Sequence, residues 1–392
     1  MCAQTFTNVY LIFCVMIMVM IRNSNGVHYP RGNYTQMSME MGYELVEYDV
    51  TTEDGYILKL FYHKGRDKEK GDILLMHGLL DSADGFLLRG NTSHVGLLLA
   101  AGYSVWSGNV RGCRYGRRHV ILNPDSDKKF WDYSFHEMGY YDLPALIDFI
   151  LSKTGQQRIK AIAHSQGTEI FFVLGSTRPE YNAKISVLAA LAPIAFVGHV
   201  KPPVNYIATF VPILSEIFQA AGNEELFGDQ NIITLLFQTA CASNRSYDLC
   251  AHGLIFSIFG SDPDEFEFDF YLTVIAHNPT GTSRKNFVHY YQNFISKSFS
   301  QFDYGPNNVD IYRSVLPPKY DLRKVEMRVV LFAGNNDVLS TIPDVKLLYK
   351  CLPNAEYFPV SYKRLTHIDV IWGRNMYRYL FPNILHVLEN NL

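Results

Sequence analysis

The sequence predicts an α/β protein: a mostly parallel sheet covered by helices on both faces, with an inserted helical segment late in the chain. Three observations carry this expectation. Compact apolar runs that do not alternate, such as "DILLMHG" and "MRVVLFAGNND", read as strands buried on both faces. Stretches with helical spacing separate them, so β and α alternate as in a sheet built from crossover units. Between Phe196 and Phe302 the strand signals stop while Phe, Ile and Leu stay abundant.

The elements follow in chain order. Val9 to Ile21 is a continuous apolar run, then come Arg22 and "NSNG". The run is too short for a membrane span of roughly 20 residues and suits the h-region of a secretory signal. Ser24 and Gly26 offer a cleavage site before Val27, so residues 1–26 are expected to leave as a signal peptide. Ahead of the run there is no Lys or Arg, and an uncleaved membrane anchor is the alternative. "YELVEYDVTTEDGYILKLFYH" alternates on both sides of Glu53-Asp54-Gly55 and reads as a hairpin. "DILLMHG" and "YSVWSGNVRG" are the next strands, and "HEMGYYDLPALIDFIL" is a helix. "RIKAIAHSQGTEI" joins a strand, Ile159 to Ala163, to a helix that starts at Gly167. "KISVLAALAPIA" is a further strand. Within the insertion, "YIATFVPILSEIFQAAG" and "IITLLFQTA" read as helices, and "MRVVLFAGNND" returns the chain to the sheet. The expected division is 27–195 for the first part of the core, 196–302 for a helical cap and 303–392 for the second part of the core.

Composition removes some classes of function. A net charge of −3 without a long run of either sign gives no basic face for nucleic acid. Four cysteines remain after residue 26, none in C-x-x-C spacing, so no zinc site is expected. Secretion permits disulfides. Cys241 and Cys250 would close the short polar loop "CASNRSYDLC", while Cys113 and Cys351 can pair or stay free. Sequons at Asn33, Asn91 and Asn244 fit a secretory route with glycosylation.

Ser165 sits where the strand must turn sharply into the helix. There it is either an exposed nucleophile or a helix N-cap; Ala163 stands where the first glycine of G-x-S-x-G is expected. A nucleophilic serine needs a base, and the base needs an acid to hold its tautomer. Asp337, in "AGNND", follows a strand, and His367, in "YKRLTHIDVIWG", follows the strand-like run "AEYFPVS". Ser165, Asp337 and His367 thus occur in the order nucleophile, acid, base of sheet hydrolases, each beyond the carboxyl end of a strand, where open α/β sheets carry ligands. Asp369 is the alternative acid, two residues beyond the histidine. Upstream, His77-Gly78 follows a buried strand, and a loop there can aim backbone N–H groups at an oxyanion.

With these pieces in place the chain resembles the acid lipases, the family of gastric and lysosomal acid lipase. The resemblance runs from about Gly42 to Gly373 through "TEDGYIL", "HGLLDSADGF", "GNVRG", "YYDLPALIDFIL", "AHSQGT", "LAPIAF", "FDYG" and "THIDVIWG". It implies an α/β-hydrolase core with a helical cap (lid), a triad of Ser165, Asp337 and His367, and oxyanion donors at the backbone N–H groups of Leu79 and Gln166. The pair Cys241 and Cys250 matches the family's cap disulfide in spacing. Ala163 departs from the family's glycine, Cys113 stands where Asn is common, and Cys351 is a further departure. The implied activity is hydrolysis of the carboxylic esters of neutral lipids, triacylglycerol or steryl esters, at a lipid–water interface by a secreted or lysosomal enzyme. No cofactor or metal is required, and no integral membrane span is expected in the mature chain. A catalytically silent relative that binds or stores lipid is the rival reading.

Overall fold

The computed structural model describes residues 32–243 and 246–390. The expected signal segment and the sequon residue Asn244 lie outside the described residues.

Ten strands are described: β1 Val46–Thr51, β2 Ile57–His63, β3 Asp72–Met76, β4 Ser104–Gly108, β5 Ile159–His164, β6 Ile185–Leu191, β7 Glu225–Leu226, β8 Thr282–Ser283, β9 Val329–Ala333 and β10 Ala355–Pro359. Eight form one sheet in the order β1-β2-β4-β3-β5-β6-β9-β10. The hairpin β1–β2 and the β2–β4 pair are antiparallel, and every later pair is parallel. The sequence is therefore an α/β-hydrolase fold. Side chains alternate across a strand, so the apolar runs feed two cores. Ile73, Leu75, Ile162 and Val330 face one core. Leu74, Met76, Ala161, Ala163 and Leu331 face the other. Burial on both faces is why these strands read as unbroken apolar runs.

The longer helices are α1 Tyr34–Glu40, α2 His94–Ala100, α3 Leu143–Thr154, α4 Gln166–Thr177, α5 Val211–Ala220, α6 Ile232–Cys241, α7 Phe268–His277, α8 Arg284–Ser296, α9 Ile342–Cys351 and α10 Phe381–Glu389. Helices α2 and α10 cover the first core, and α3, α4 and α9 the second. The helix expected over "HEMGYYDLPALIDFIL" is interrupted. A π-helical turn, Met138–Asp142, precedes α3, which has Pro144 in its first turn. Proline has no N–H for the carbonyl four residues back, and the Arg178 guanidinium donates to that Tyr140 carbonyl instead, at 3.2 Å.

The segment between β6 and β9 is helical, with two differences from expectation. The helix expected from Tyr206 to Gly222 is split into a short turn, Val204–Ala208, and α5, because Pro212 begins a new first turn. The short strands β7 and β8 pair antiparallel, Leu226 opposite Thr282; two residues are too few to show a period. Cys241 and Cys250 form a disulfide. Cys113 and Cys351 are both free, Cys113 buried and Cys351 half-buried at the end of α9. Closing so short a loop stabilises by about 2–3 kcal/mol through the unfolded chain. Cys250→Ser is therefore expected to lower stability by that amount in a denaturant titration under non-reducing conditions. Wild type with reductant should fall to the same midpoint.

Candidate active site

β5 ends at His164 and α4 begins at Gln166, so the turn is made by Ser165 alone, at φ 52° and ψ −121°. A side chain rarely adopts a positive φ, and such a residue costs of order 1–3 kcal/mol unless its surroundings hold it. They do so here. The Ser165 N–H donates to the Leu191 carbonyl at 3.0 Å, and the Ser165 carbonyl accepts from the Thr168 N–H at 2.8 Å and the Thr168 hydroxyl at 2.7 Å. Its hydroxyl caps nothing in α4. The close approach between strand and helix falls on Gly167, where a Cβ would lie 2.3 Å from the Met76 carbonyl oxygen. Ala163, at the position of the missing glycine, is fully buried between Met76 and Ala190 in the sheet register, where a methyl fits.

The serine Oγ is 2.8 Å from His367 Nε2, and His367 Nδ1 is 2.9 Å from Asp337 Oδ2. The carboxylate is fixed on its other side. Asp337 Oδ1 accepts from the backbone N–H groups of Leu339 and Ser340, both at 2.8 Å. Asp337 and His367 are buried, and Ser165 retains 8% of its accessible surface. The histidine loop is held at two points. The His367 N–H donates to the Phe259 carbonyl at 3.0 Å, and His164 Nε2 donates to the His367 carbonyl at 2.9 Å. Burial, then the neighbouring His367, push His164 well below the ordinary histidine pKa, so it serves as a neutral donor. Asp369 faces elsewhere. Its carboxylate accepts the Thr366 N–H at 2.8 Å, closing the turn that carries His367, and burial pushes it up to about 7.

The loop after β3 runs against this turn. A Cβ on Gly78 would meet His164 Nδ1 at 2.9 Å and Ser165 Cβ at 3.2 Å, so only glycine lets the loop through. His77 secures it, with Nδ1 donating to the Gly78 carbonyl at 2.8 Å and Nε2 accepting from the Val110 N–H at 3.3 Å. Burial pushes His77 down to about 4, so it stays neutral. Among the described residues, neither the Leu79 nor the Gln166 N–H is donated to another group. Gln166 also opens α4, where the helix dipole favours negative charge. Asn33 and Asn91 are both exposed, Asn33 as the N-cap of α1.

Sequence order picked out the three residues that the structure hydrogen-bonds together. It missed the contacts from the helical segment. Asn286 and Tyr290 of α8 reach Gln166, and Thr280 reaches the loop at Leu80 and Asp81. The available signal was a glutamine and a glutamate three apart, just ahead of the apolar run "IFFVLG".

Comparison with known proteins bears on this geometry. A family model described as a partial alpha/beta-hydrolase lipase region matches residues 34–90, and one described as the alpha/beta hydrolase fold matches 73–214. The chain is 35% identical over 352 residues to Lipase 1 of Drosophila melanogaster, covering 88% of this chain and 77% of that one. It is 34% identical over 368 residues to gastric triacylglycerol lipase of Homo sapiens, covering 92% and 91%. An esterase from Exiguobacterium antarcticum superposes with a TM-score of 0.51 at 11% identity, over 88% of this chain and all of that one, a likeness of fold.

Proposed function

The chain belongs to the acid lipase family, carboxylic ester hydrolases on the α/β-hydrolase fold, and we propose that it hydrolyses neutral lipid esters through Ser165, His367 and Asp337. The observation that carries the mechanism is the continuous hydrogen-bonded line from Ser165 Oγ through His367 to Asp337. In this reading His367 Nε2 takes the serine proton as Oγ attacks the ester carbonyl. The N–H groups of Leu79 and Gln166 receive the oxyanion, and Asp337 holds His367 and balances its charge. His367 then protonates the departing alcohol, and water releases the fatty acid by the same steps.

The helical segment 196–302 serves as a cap in this proposal. Ser165 is largely buried, and the outer helices of this segment are strongly apolar. Tyr206, Ile217 and Ile232 are 63%, 58% and 66% exposed. Such a surface favours a lipid–water interface, and no described helix is long and apolar enough to cross a membrane. The substrate is triacylglycerol or a steryl ester. Residues 1–26 direct the chain to secretion or the lysosome, with glycans at Asn33, Asn91 and Asn244; the disulfide and the exposed Asn33 and Asn91 support that route.

The test is fatty-acid release from emulsified long-chain triacylglycerol and steryl ester by the purified protein, with reaction of an alkyl phosphonate in parallel. Release from either ester, with one phosphonate on the peptide carrying Ser165, is expected. No release and no adduct from folded protein would leave the silent lipid-binding reading in its place.

A further inference from the structure

Helix α4 is buried and apolar apart from a few positions, and two of its polar side chains, Gln166 and Glu169, lie three apart on one face. Helix α8 of the cap presents Asn286 and Tyr290, four apart, to that face. The Asn286 amide donates to Gln166 Oε1 at 2.7 Å. The Tyr290 hydroxyl lies 3.2 Å from the same oxygen and 2.5 Å from Glu169 Oε2. Asn286 has no freedom to turn, because its Oδ1 accepts the Phe135 N–H at 2.9 Å. Among the described residues, the Gln166 amide nitrogen donates only to the Met138 sulfur, a weak acceptor, at 3.3 Å. The orientation of Gln166 is thus set at its oxygen, from the cap.

We propose that this buried latch fixes the Gln166 N–H for the oxyanion, making Asn286, Tyr290 and Glu169 positioning residues for the hydrolysis proposed above, a reading on which the inference rests. Proton counting explains the acid. Tyr290 has one hydroxyl hydrogen and two acceptors within reach. A protonated Glu169 donates to the tyrosine oxygen and leaves that hydrogen for Gln166, whereas a carboxylate would take it. Burial pushes Glu169 well above the ordinary carboxylate range, in keeping with the protonated form. Stability alone does not call for such a group, since apolar residues of similar shape fill a buried interface as well. The same stretch of cap also holds the other donor loop. The Thr280 N–H donates to the Leu80 carbonyl at 3.0 Å, and its hydroxyl to the Asp81 carbonyl at 2.6 Å. Both oxyanion donors, Leu79 and Gln166, are therefore braced from the cap side.

The experiment compares wild type, Tyr290→Phe, Asn286→Ala, Glu169→Leu and Glu169→Gln on a soluble short-chain aryl ester, which removes interfacial binding from the rate. It adds the affinity of an alkyl boronic acid that mimics the tetrahedral adduct. Tyr290→Phe, Asn286→Ala and Glu169→Leu are expected to lower kcat about 10-fold, a fraction of the ~10²–10³-fold lost with an oxyanion donor, and to weaken boronate binding in step. KM should stay within about twofold of wild type. Glu169→Gln should recover most of the rate, because a neutral amide also donates to the tyrosine oxygen. Wild-type kcat and boronate affinity in the folded Tyr290→Phe and Asn286→Ala proteins would overturn the latch. So would a loss of thermal stability with an unchanged ratio of boronate to substrate affinity. A wild type with no turnover that depends on Ser165 would instead overturn the underlying reading, and the latch with it.

Discussion

Ser165→Ala is expected to lower kcat by about 10⁶-fold and Asp337→Asn by about 10⁴-fold, with both proteins folded as wild type. The serine change deletes one oxygen, that of the proposed nucleophile. The aspartate change is nearly isosteric, and its effect follows from how the carboxylate is held. Asp337 Oδ1 is fixed by two backbone N–H groups, of Leu339 and Ser340. An asparagine must turn its carbonyl oxygen toward those donors, which points its NH₂ at His367 Nδ1. That nitrogen must then accept, so the ring's hydrogen moves to Nε2 and faces the Ser165 oxygen. In the proposed mechanism the histidine can then no longer take the serine proton. Asp369→Asn makes the contrast, because that carboxylate caps the Thr366 turn and does not touch the ring. Its kcat should stay within about threefold of wild type. Rates on a soluble ester, with circular dichroism to confirm folding, decide the matter. A retained rate in Asp337→Asn would mean that the tautomer of His367 is set elsewhere.

The sheet was legible because its strands are buried on both faces, which leaves unbroken apolar runs, and because Glu53-Asp54-Gly55 marks the hairpin. The Ser–Asp–His constellation was legible through chain order: strand ends gather at one edge of a parallel sheet, however far apart they lie in sequence. What stayed hidden depends on contacts between distant elements. Nothing near Tyr140 announces that Arg178 takes the carbonyl released by Pro144. The partners of Gln166 lie more than a hundred residues away on α8, and a buried polar side chain does not say what satisfies it. Cys113 is free and buried beside Asn109, where its Sγ donates to Oδ1 at 3.7 Å, a contact that nothing in the local sequence announces.

Arg111→Met should destabilise the protein by about 3–5 kcal/mol at neutral pH, the cost of leaving a buried charge without its partner. Arg111 lies in the loop after β4, fully buried. Its side chain donates to Asp142 Oδ1 from Nε at 2.8 Å and Nη2 at 2.6 Å, and its backbone N–H to Asp142 Oδ2 at 2.9 Å. It also donates to Asp54 at 2.7 and 2.9 Å and lies 3.9 Å over the Tyr56 ring. The preceding residue, Val110, supplies the N–H that His77 accepts, so this loop braces the one beside Ser165. The loss should depend on pH, and its sign is set by Asp142. Burial raises that carboxyl from 3.8 to about 6 despite the attraction of Arg111. A raised acid is held protonated by the fold, so its ionisation erodes stability as pH climbs from 3.8 through about 6. Without the guanidinium the folded pKa rises further and the erosion extends to higher pH. The difference between wild type and variant should therefore be small near pH 3.8, grow through 6 and be largest above it. Denaturant titrations across that range measure it. Adding Asp142→Asn to the methionine variant should restore much of the loss at neutral pH, since the buried charge then disappears with its partner. A difference that stays flat with pH, or a double variant no more stable than the single, would place the role of Arg111 in packing against Tyr56 rather than in neutralising Asp142.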